Sequence, residues 1–144
     1  FQRLPAQTRY LFTHAYQSHV FNRIVAERVK KGLFYPMEGD ILENGIPTAL
    51  LPGSESKMAH GIPGEIEERI LRDEKIDASL FKNTKMGELS SWGARKPIVL
   101  RANEFKLLEV TDDMFYEGKK CATVSFWLEK GAYATTLLRE LIKE

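Results

Sequence analysis

Between Pro5 and Lys31 apolar side chains recur at helical spacing. Phe12, Tyr16, Val20 and Ile24 form one i, i+4 row, and Phe21, Val25 and Val29 form a second. Together the rows cover more than a narrow stripe, which predicts one long helix buried on most sides. Lys30-Lys31-Gly32 supplies its stop: cations at the negative end of the helix, then glycine. Beyond it, Asp40–Leu42 and Ile46–Leu51 read as short strands. Asn44-Gly45 joins them in a tight turn, because both residues tolerate positive φ. Leu51-Pro52-Gly53 closes that hairpin, and residues 54–61 form a polar loop. Pro63 opens a helix to Arg72 with Ile66 and Ile70 on one face, and Asp77 caps a short helix over Ala78–Phe81. Met86–Pro97, with its glycines and proline, reads as a structured loop.

The period then changes. Ile98–Arg101, Phe105–Val110 and Lys119–Leu128 are strand candidates. In the last, Ala122, Val124, Phe126 and Leu128 alternate with Thr123, Ser125 and Trp127, the pattern of a half-buried strand. Ala132–Lys143 closes the chain as a helix with Leu137, Leu138, Leu141 and Ile142 inward. The predicted class is α+β, helix-rich up to residue 98 and strand-strand-strand-helix over residues 99–144.

Composition narrows this picture only a little. The 144 residues suit one domain or parts of two, and 43% hydrophobic content supports a packed core. A net charge of +1 selects no partner by itself. The single Cys121 excludes an internal disulfide framework and points to a reducing, cytoplasmic setting; in a strand pattern it reads as a small core residue. No apolar run approaches the roughly 20 residues of a membrane span, and no signal peptide is expected. The chain starts Phe1-Gln2-Arg3 without methionine, which reads either as a trimmed or processed protein or, more sharply, as a chain whose upstream portion is missing.

Candidate chemistry is uneven along the chain. His14 and His19 are five apart and fall on different helix faces, which argues against a metal pair. No nucleophile elbow and no phosphate-cradling glycine loop is present. Asp112-Asp113 reads as a pair of turn residues. Residues 82–106 carry six cations (Lys82, Lys85, Arg95, Lys96, Arg101 and Lys106) against Glu88 and Glu104, with Trp92 among them. Cations contact phosphates and an aromatic stacks on a base, so Trp92, Arg95 and Lys96 are candidates for nucleic-acid contact; a solvated face with Trp92 packed inward is the plainer and equally supported alternative. Gln17, Asn22 and Arg28 are polar positions on an otherwise apolar helix. They either tie that helix to neighbouring backbone or meet a ligand. At the end, a strand enters the Gly131 turn, Tyr133 sits at the start of the last helix, and Arg139 follows six residues later. Tyr133 is either a presented ring or an ordinary core aromatic. Arg139 is either part of a site or a surface partner of Glu140 or Glu144.

Two segments carry a family resemblance. Ala15-Tyr16-Gln17-Ser18-His19-Val20-Phe21-Asn22, continuing to Glu27-Arg28, resembles the helix signature of the TruD family of tRNA pseudouridine synthases. Phe126-Trp127-Leu128-Glu129-Lys130-Gly131-Ala132-Tyr133-Ala134-Thr135, continuing to Arg139-Glu140-Leu141, is similar to that family's C-terminal signature. Leu51-Pro52-Gly53 and Gly93-x-Arg95 fall between them in family order.

The resemblance implies an enzyme that isomerises uridine to pseudouridine in tRNA, typically uridine 13, with no metal and no organic cofactor. It implies a pseudouridine synthase catalytic core interrupted by a TRUD insertion domain. Residues 1–98 would be most of the insertion, and 99–144 the C-terminal part of the catalytic domain. Tyr133 matches the family's active-site aromatic and Arg139 a motif arginine. The family's essential aspartate lies in a Gly-x-Lys-Asp segment absent from this sequence, so the chain alone is expected to be inactive. A second reading is a non-catalytic RNA-binding module of the same fold. The sequence encoded upstream separates the two.

Overall fold

The structure, a computed structural model, describes residues 4–81, 91–129 and 131–142. It divides into two compact units, Phe1–Val99 and Leu100–Glu144.

The first unit begins with α1, Ala6–Lys30. Its stop is built as the sequence suggests: Gly32 turns to φ 68° and the Leu33 amide bonds back to the Arg28 carbonyl at 2.8 Å. The broad burial expected for α1 does not occur. Gln17, Val20, Ile24 and Arg28 alone are buried, while Phe12, Tyr16 and Val29 are exposed. Among the described elements, the strand Ile46–Leu51 and the helix Gly61–Asp73 make the main contacts with α1, so one i, i+3/i+4 stripe is covered.

Strand β1 is Leu42–Glu43 and β2 is Ile46–Leu51, joined through Asn44 and Gly45 at φ 49° and 76°. Asp40, expected at the start of β1, lies outside it. Its carboxylate instead receives the Arg28 guanidinium in two hydrogen bonds of 2.5 and 3.0 Å. Both side chains are buried, at 1% and 0% exposure.

Strand β3 is Ala94–Pro97, inside the stretch read as a loop; residues 86–90 of that stretch lie outside the described residues. It pairs antiparallel with β2, Thr48 opposite Pro97 and Leu51 opposite Ala94, giving sheet order β1-β2-β3. The strand expected at Ile98–Arg101 is therefore displaced upstream, and Ile98–Val99 form a bend. Pro97 is tolerated because β3 lies at an edge of this sheet.

Helix α2, Gly61–Asp73, turns Pro63, Gly64, Ile66, Glu67 and Ile70 inward. The core then closes from three elements: Val20 and Ile24 of α1, Ala49 and Leu50 of β2, Ile66 and Ile70 of α2. Each buried Val, Leu or Ile side chain is worth about 1.5–3 kcal/mol relative to exposure. A 3₁₀ turn, Ala78–Phe81, follows, with Asp77 accepting the Ser79 amide at 2.8 Å as a cap. Where α2 ends, Glu74 gathers three residues of α1: Arg23 at 2.5 Å, His19 at 3.1 Å and the Tyr16 hydroxyl at 3.3 Å. The Arg23 hydrogen bond, then that of His19, holds the Glu74 carboxyl below its ordinary pKa.

The second unit is β4, Asn103–Asp112, paired antiparallel with β5, Lys120–Trp127, then α3, Ala134–Leu141. From residue 98 onward there are thus two strands and a helix among the described residues, where three strands were expected. Asp113 builds the turn by accepting the Phe115 and Tyr116 amides at 2.8 and 3.1 Å, and Asp112 pairs with Lys120 at 2.6 Å. No described residue of this unit is buried. Cys121, read as a core residue, is exposed, and so are Leu138, Leu141 and Ile142, expected to face inward. The reason is shared: a two-strand ribbon has no second layer to cover either face.

Two outcomes are expected. Arg28→Met strands the buried Asp40 carboxylate and should cost about 3–5 kcal/mol in urea unfolding, whereas Arg28→Met with Asp40→Leu should recover most of that loss. Glu74, ionised more readily when folded, stabilises fully above its ordinary pKa of 4.5 and loses that contribution as pH falls through its lower folded value. The gap in urea midpoint between the parent chain and Glu74→Gln should accordingly close on acidification through that window.

Candidate functional site

The motif residues of the first unit converge on one crossing. Leu51-Pro52-Gly53 leaves β2 just where Ser91-Trp92-Gly93 enters β3. The Ser54 and Glu55 amides bond to the Ser91 and Trp92 carbonyls at 2.8 and 3.0 Å. The backbones pass so closely that a Cβ on Gly53 would collide with the Gly93 backbone. Gly93 itself needs φ 79°, a conformation costly for other residues. Gln17 reaches in from α1. Its amide donates to the Pro52 carbonyl and to Ser91 Oγ, each at 2.7 Å, and its oxygen lies 3.1 Å from His14 Nδ1.

Two residues further on, the Arg95 guanidinium is fully engaged. It donates to Thr48 Oγ1 at 2.7 Å, to the Thr48 and Lys57 carbonyls at 2.8 Å each, and to Glu67 at 2.6 and 3.2 Å. Glu67 is buried and also accepts the Ala59 amide at 2.9 Å. Gln17, Arg28 and Arg95, three of the six candidates for ligand or nucleic-acid contact, thus have their polar atoms consumed within the first unit. The other three remain available: Asn22 and Lys96 are exposed, and Trp92 is 71% exposed. Lys82 and Lys85 of the basic stretch lie outside the described residues. A cavity of about 440 Å³ opens beside the crossing, with Leu50, Met58, Leu71 and Ile76 as apolar wall and Glu68 and Arg72 as its charged groups.

In the second unit β5 runs into the Gly131 turn at φ 94°. Tyr133 is the cap residue of α3, extended at φ −112° and ψ 121°, and its carbonyl accepts the Thr136 amide at 3.0 Å. Its ring is 71% exposed, which rules out the core-aromatic alternative within this chain. Arg139 is exposed and makes no ion pair with a described residue. No described group of three or more His, Cys, Asp or Glu side chains is placed to hold a metal ion. No described helix is long and apolar enough to cross a membrane.

A mixed α+β chain with this terminal strand–turn–helix has close counterparts. The family model of tRNA pseudouridine synthase D (TruD) matches residues 1–46 and 43–141. A probable tRNA pseudouridine synthase D of Methanopyrus kandleri is 42% identical over 99% of this chain and 34% of its own length. One from Methanococcus vannielii is 41% identical over 97% of this chain and 33% of its own. A crystal structure from Methanosarcina mazei, described as that of a candidate tRNA pseudouridine synthase D, superposes with a TM-score of 0.81 at 32% identity, covering 97% of this chain and 39% of that one. The chain belongs to the TruD family. It spans about a third of the length of the first two relatives.

Sequence reasoning missed Asp40, Glu67 and Thr48, the acceptors that hold the two arginines. For Glu67 a signal existed: it lies at helical spacing with Pro63, Ile66 and Ile70, and a carboxylate on an apolar face needs a cation. Asp40 carried no such signal. The neighbours Arg95 and Lys96 should therefore separate in experiment. Arg95→Gln leaves Glu67 without its cation and should lose about 3–5 kcal/mol of stability in denaturant unfolding. Lys96→Gln should stay within about 0.5 kcal/mol of the parent.

Proposed function

We propose that this chain supplies most of the insertion domain, residues 1–98, and the C-terminal part of the catalytic domain, residues 99–144, of a cytoplasmic tRNA pseudouridine synthase. The substrate is a uridine in tRNA, typically uridine 13. Family membership supports the reading, and the observation that carries it is Tyr133, an exposed ring fixed at the mouth of a strand–glycine–helix junction.

The reaction breaks the C1′–N1 bond and rejoins the ring through C5, with one proton leaving C5 and one gained at N1. It needs a carboxylate at C1′ and a surface that keeps the detached uracil oriented. The target base must first leave its stack. Tyr133 offers the flat face to hold it. Arg139, a cation free of carboxylate partners among the described residues, suits an ion pair with the attacking aspartate. That aspartate comes from outside these residues. Asp40 is buried on Arg28, Asp73 lies 3.8 Å from Arg23, Asp77 caps Ser79, Asp112 pairs with Lys120 and Asp113 builds a turn. Asn22, Trp92 and Lys96 are the RNA-facing residues of the first unit.

In a synthase carrying this sequence, Tyr133→Phe keeps the face and should preserve the single-turnover rate. Tyr133→Leu should lower it roughly tenfold to a hundredfold, a loss that falls within the about 1–3 kcal/mol of base–aromatic stacking. A normal rate for Tyr133→Leu, with only the unfolding midpoint lowered, would make Tyr133 a packing residue instead. The 144-residue chain alone should form no pseudouridine in tRNA; robust product would force one of its own aspartates into the role and sink the assignment.

A further inference from the structure

We infer that the Gly53–Gly93 crossing is a rigid mount for Trp92, locked by Gln17 as a positioning residue, and that the mounted ring stacks on an unpaired nucleobase of the bound RNA. The inference rests on the RNA reading above and deepens it. It concerns a base-binding position built from residues of the first unit, other than the Tyr133 that offers the uridine face.

The backbone on both sides of Trp92 is fixed. Before it, the Ser91 amide bonds to the Phe81 carbonyl at 3.2 Å, and the Ser91 carbonyl accepts the Ser54 amide. At it, the Trp92 carbonyl accepts the Glu55 amide. After it, Gly93 donates to Ser91 Oγ at 3.4 Å, and Ala94 is already paired with Leu51 in the sheet. Gln17 is the keystone: one buried amide bonds both crossing strands, Pro52 on one and Ser91 on the other. Yet the indole held by this framework has 71% of its surface in water. Large aromatic side chains reward burial more than most, so an indole presented on an ordered backbone is suited to stacking on a partner. Fixing the backbone beforehand removes an ordering cost from the binding step.

The partner's chemistry follows from the neighbours. Lys96, exposed on β3 four residues after Trp92, and Lys57, exposed in the loop that follows Gly53, are cations of this unit suited to phosphate contacts. An exposed π-face in a unit that also presents exposed cations suits an unstacked base with its backbone.

The test uses the 144-residue chain with Trp127→Phe, so that Trp92 is its sole tryptophan. An unmodified tRNA transcript is titrated while Trp92 emission and anisotropy are followed. Binding should quench the emission. Trp92→Leu, with binding read from labelled tRNA, should weaken affinity roughly fivefold to 150-fold at every salt concentration and leave the salt slope unchanged, because stacking releases no counterions. Lys96→Gln should lower that slope by about 1. Gln17→Met should lower the anisotropy of free Trp92 and weaken binding while leaving the salt slope intact. Ser91→Ala removes the other half of the lock and serves the same purpose where Gln17→Met fails to fold. Tight tRNA binding with unquenched Trp92, or with Trp92→Leu at parental affinity, overturns this inference and leaves the RNA reading standing. Unchanged Trp92 anisotropy in both folded lock variants overturns the positioning role. Absence of any tRNA binding overturns both readings.

Discussion

The first unit depends on what one arginine holds. Arg95 is the inward side chain of an edge strand, and its guanidinium joins β2 through Thr48, α2 through Glu67, and the intervening loop through the Lys57 carbonyl. A lysine could not do this: it has a single point of charge and three donors, without the planar fork that meets a carboxylate on two sides. Because Glu67 is buried, the pair is costly to break, and β3 is held to the sheet by more than its ladder. Everything that enters the site through β3 inherits that register, including Gly93 and Trp92 two and three residues earlier. Arg28 and Asp40 repeat the device at the other end of the unit, fixing the exit of α1 to the approach of β1.

The two units differ in kind. The first closes a core from α1, β2 and α2 and spends its buried polar groups on internal contacts. The second has strands and a helix and no buried described residue. Phe105 and Phe126 stack across the ribbon with centroids 6.2 Å apart, yet one aromatic contact does not make a layer. Such a ribbon with an amphipathic helix is stable when further strands and helices cover it. The relatives matched here are about three times as long as the chain.

Much of this was readable from residue spacing, and the failures have physical causes. The limits of α1, the Asn44-Gly45 turn, the Asp77 cap and β5 followed from local signals. Strand β3 did not, because its partner lies more than forty positions upstream and its inward residue is an arginine, which hides the alternation. Burial on α1 also escaped the sequence. Phe12 and Tyr16 are apolar and uncovered, Gln17 and Arg28 are polar and buried, and only the position of β2 and α2 decides which. At the candidate site the same ambiguity split one basic run: Arg95 turns in and Lys96 turns out, a distinction that exists only once β3 is known. The strand–glycine–helix junction that carries Tyr133 was legible from its local signals, whereas the exposure of the Tyr133 ring was left open between two readings and is set by what covers the ribbon.

The central contrast, a first unit that holds itself together and a second that is built to be covered, is open to one direct measurement: hydrogen exchange along the 144-residue chain, followed by mass spectrometry. The expected result is that amides of β2 and of α1 from Gln17 to Arg28 exchange only with global unfolding, while those of β4, β5 and α3 exchange far faster through local opening. Equal protection across both units, or stronger protection in β4 and β5 than in β2, would contradict it.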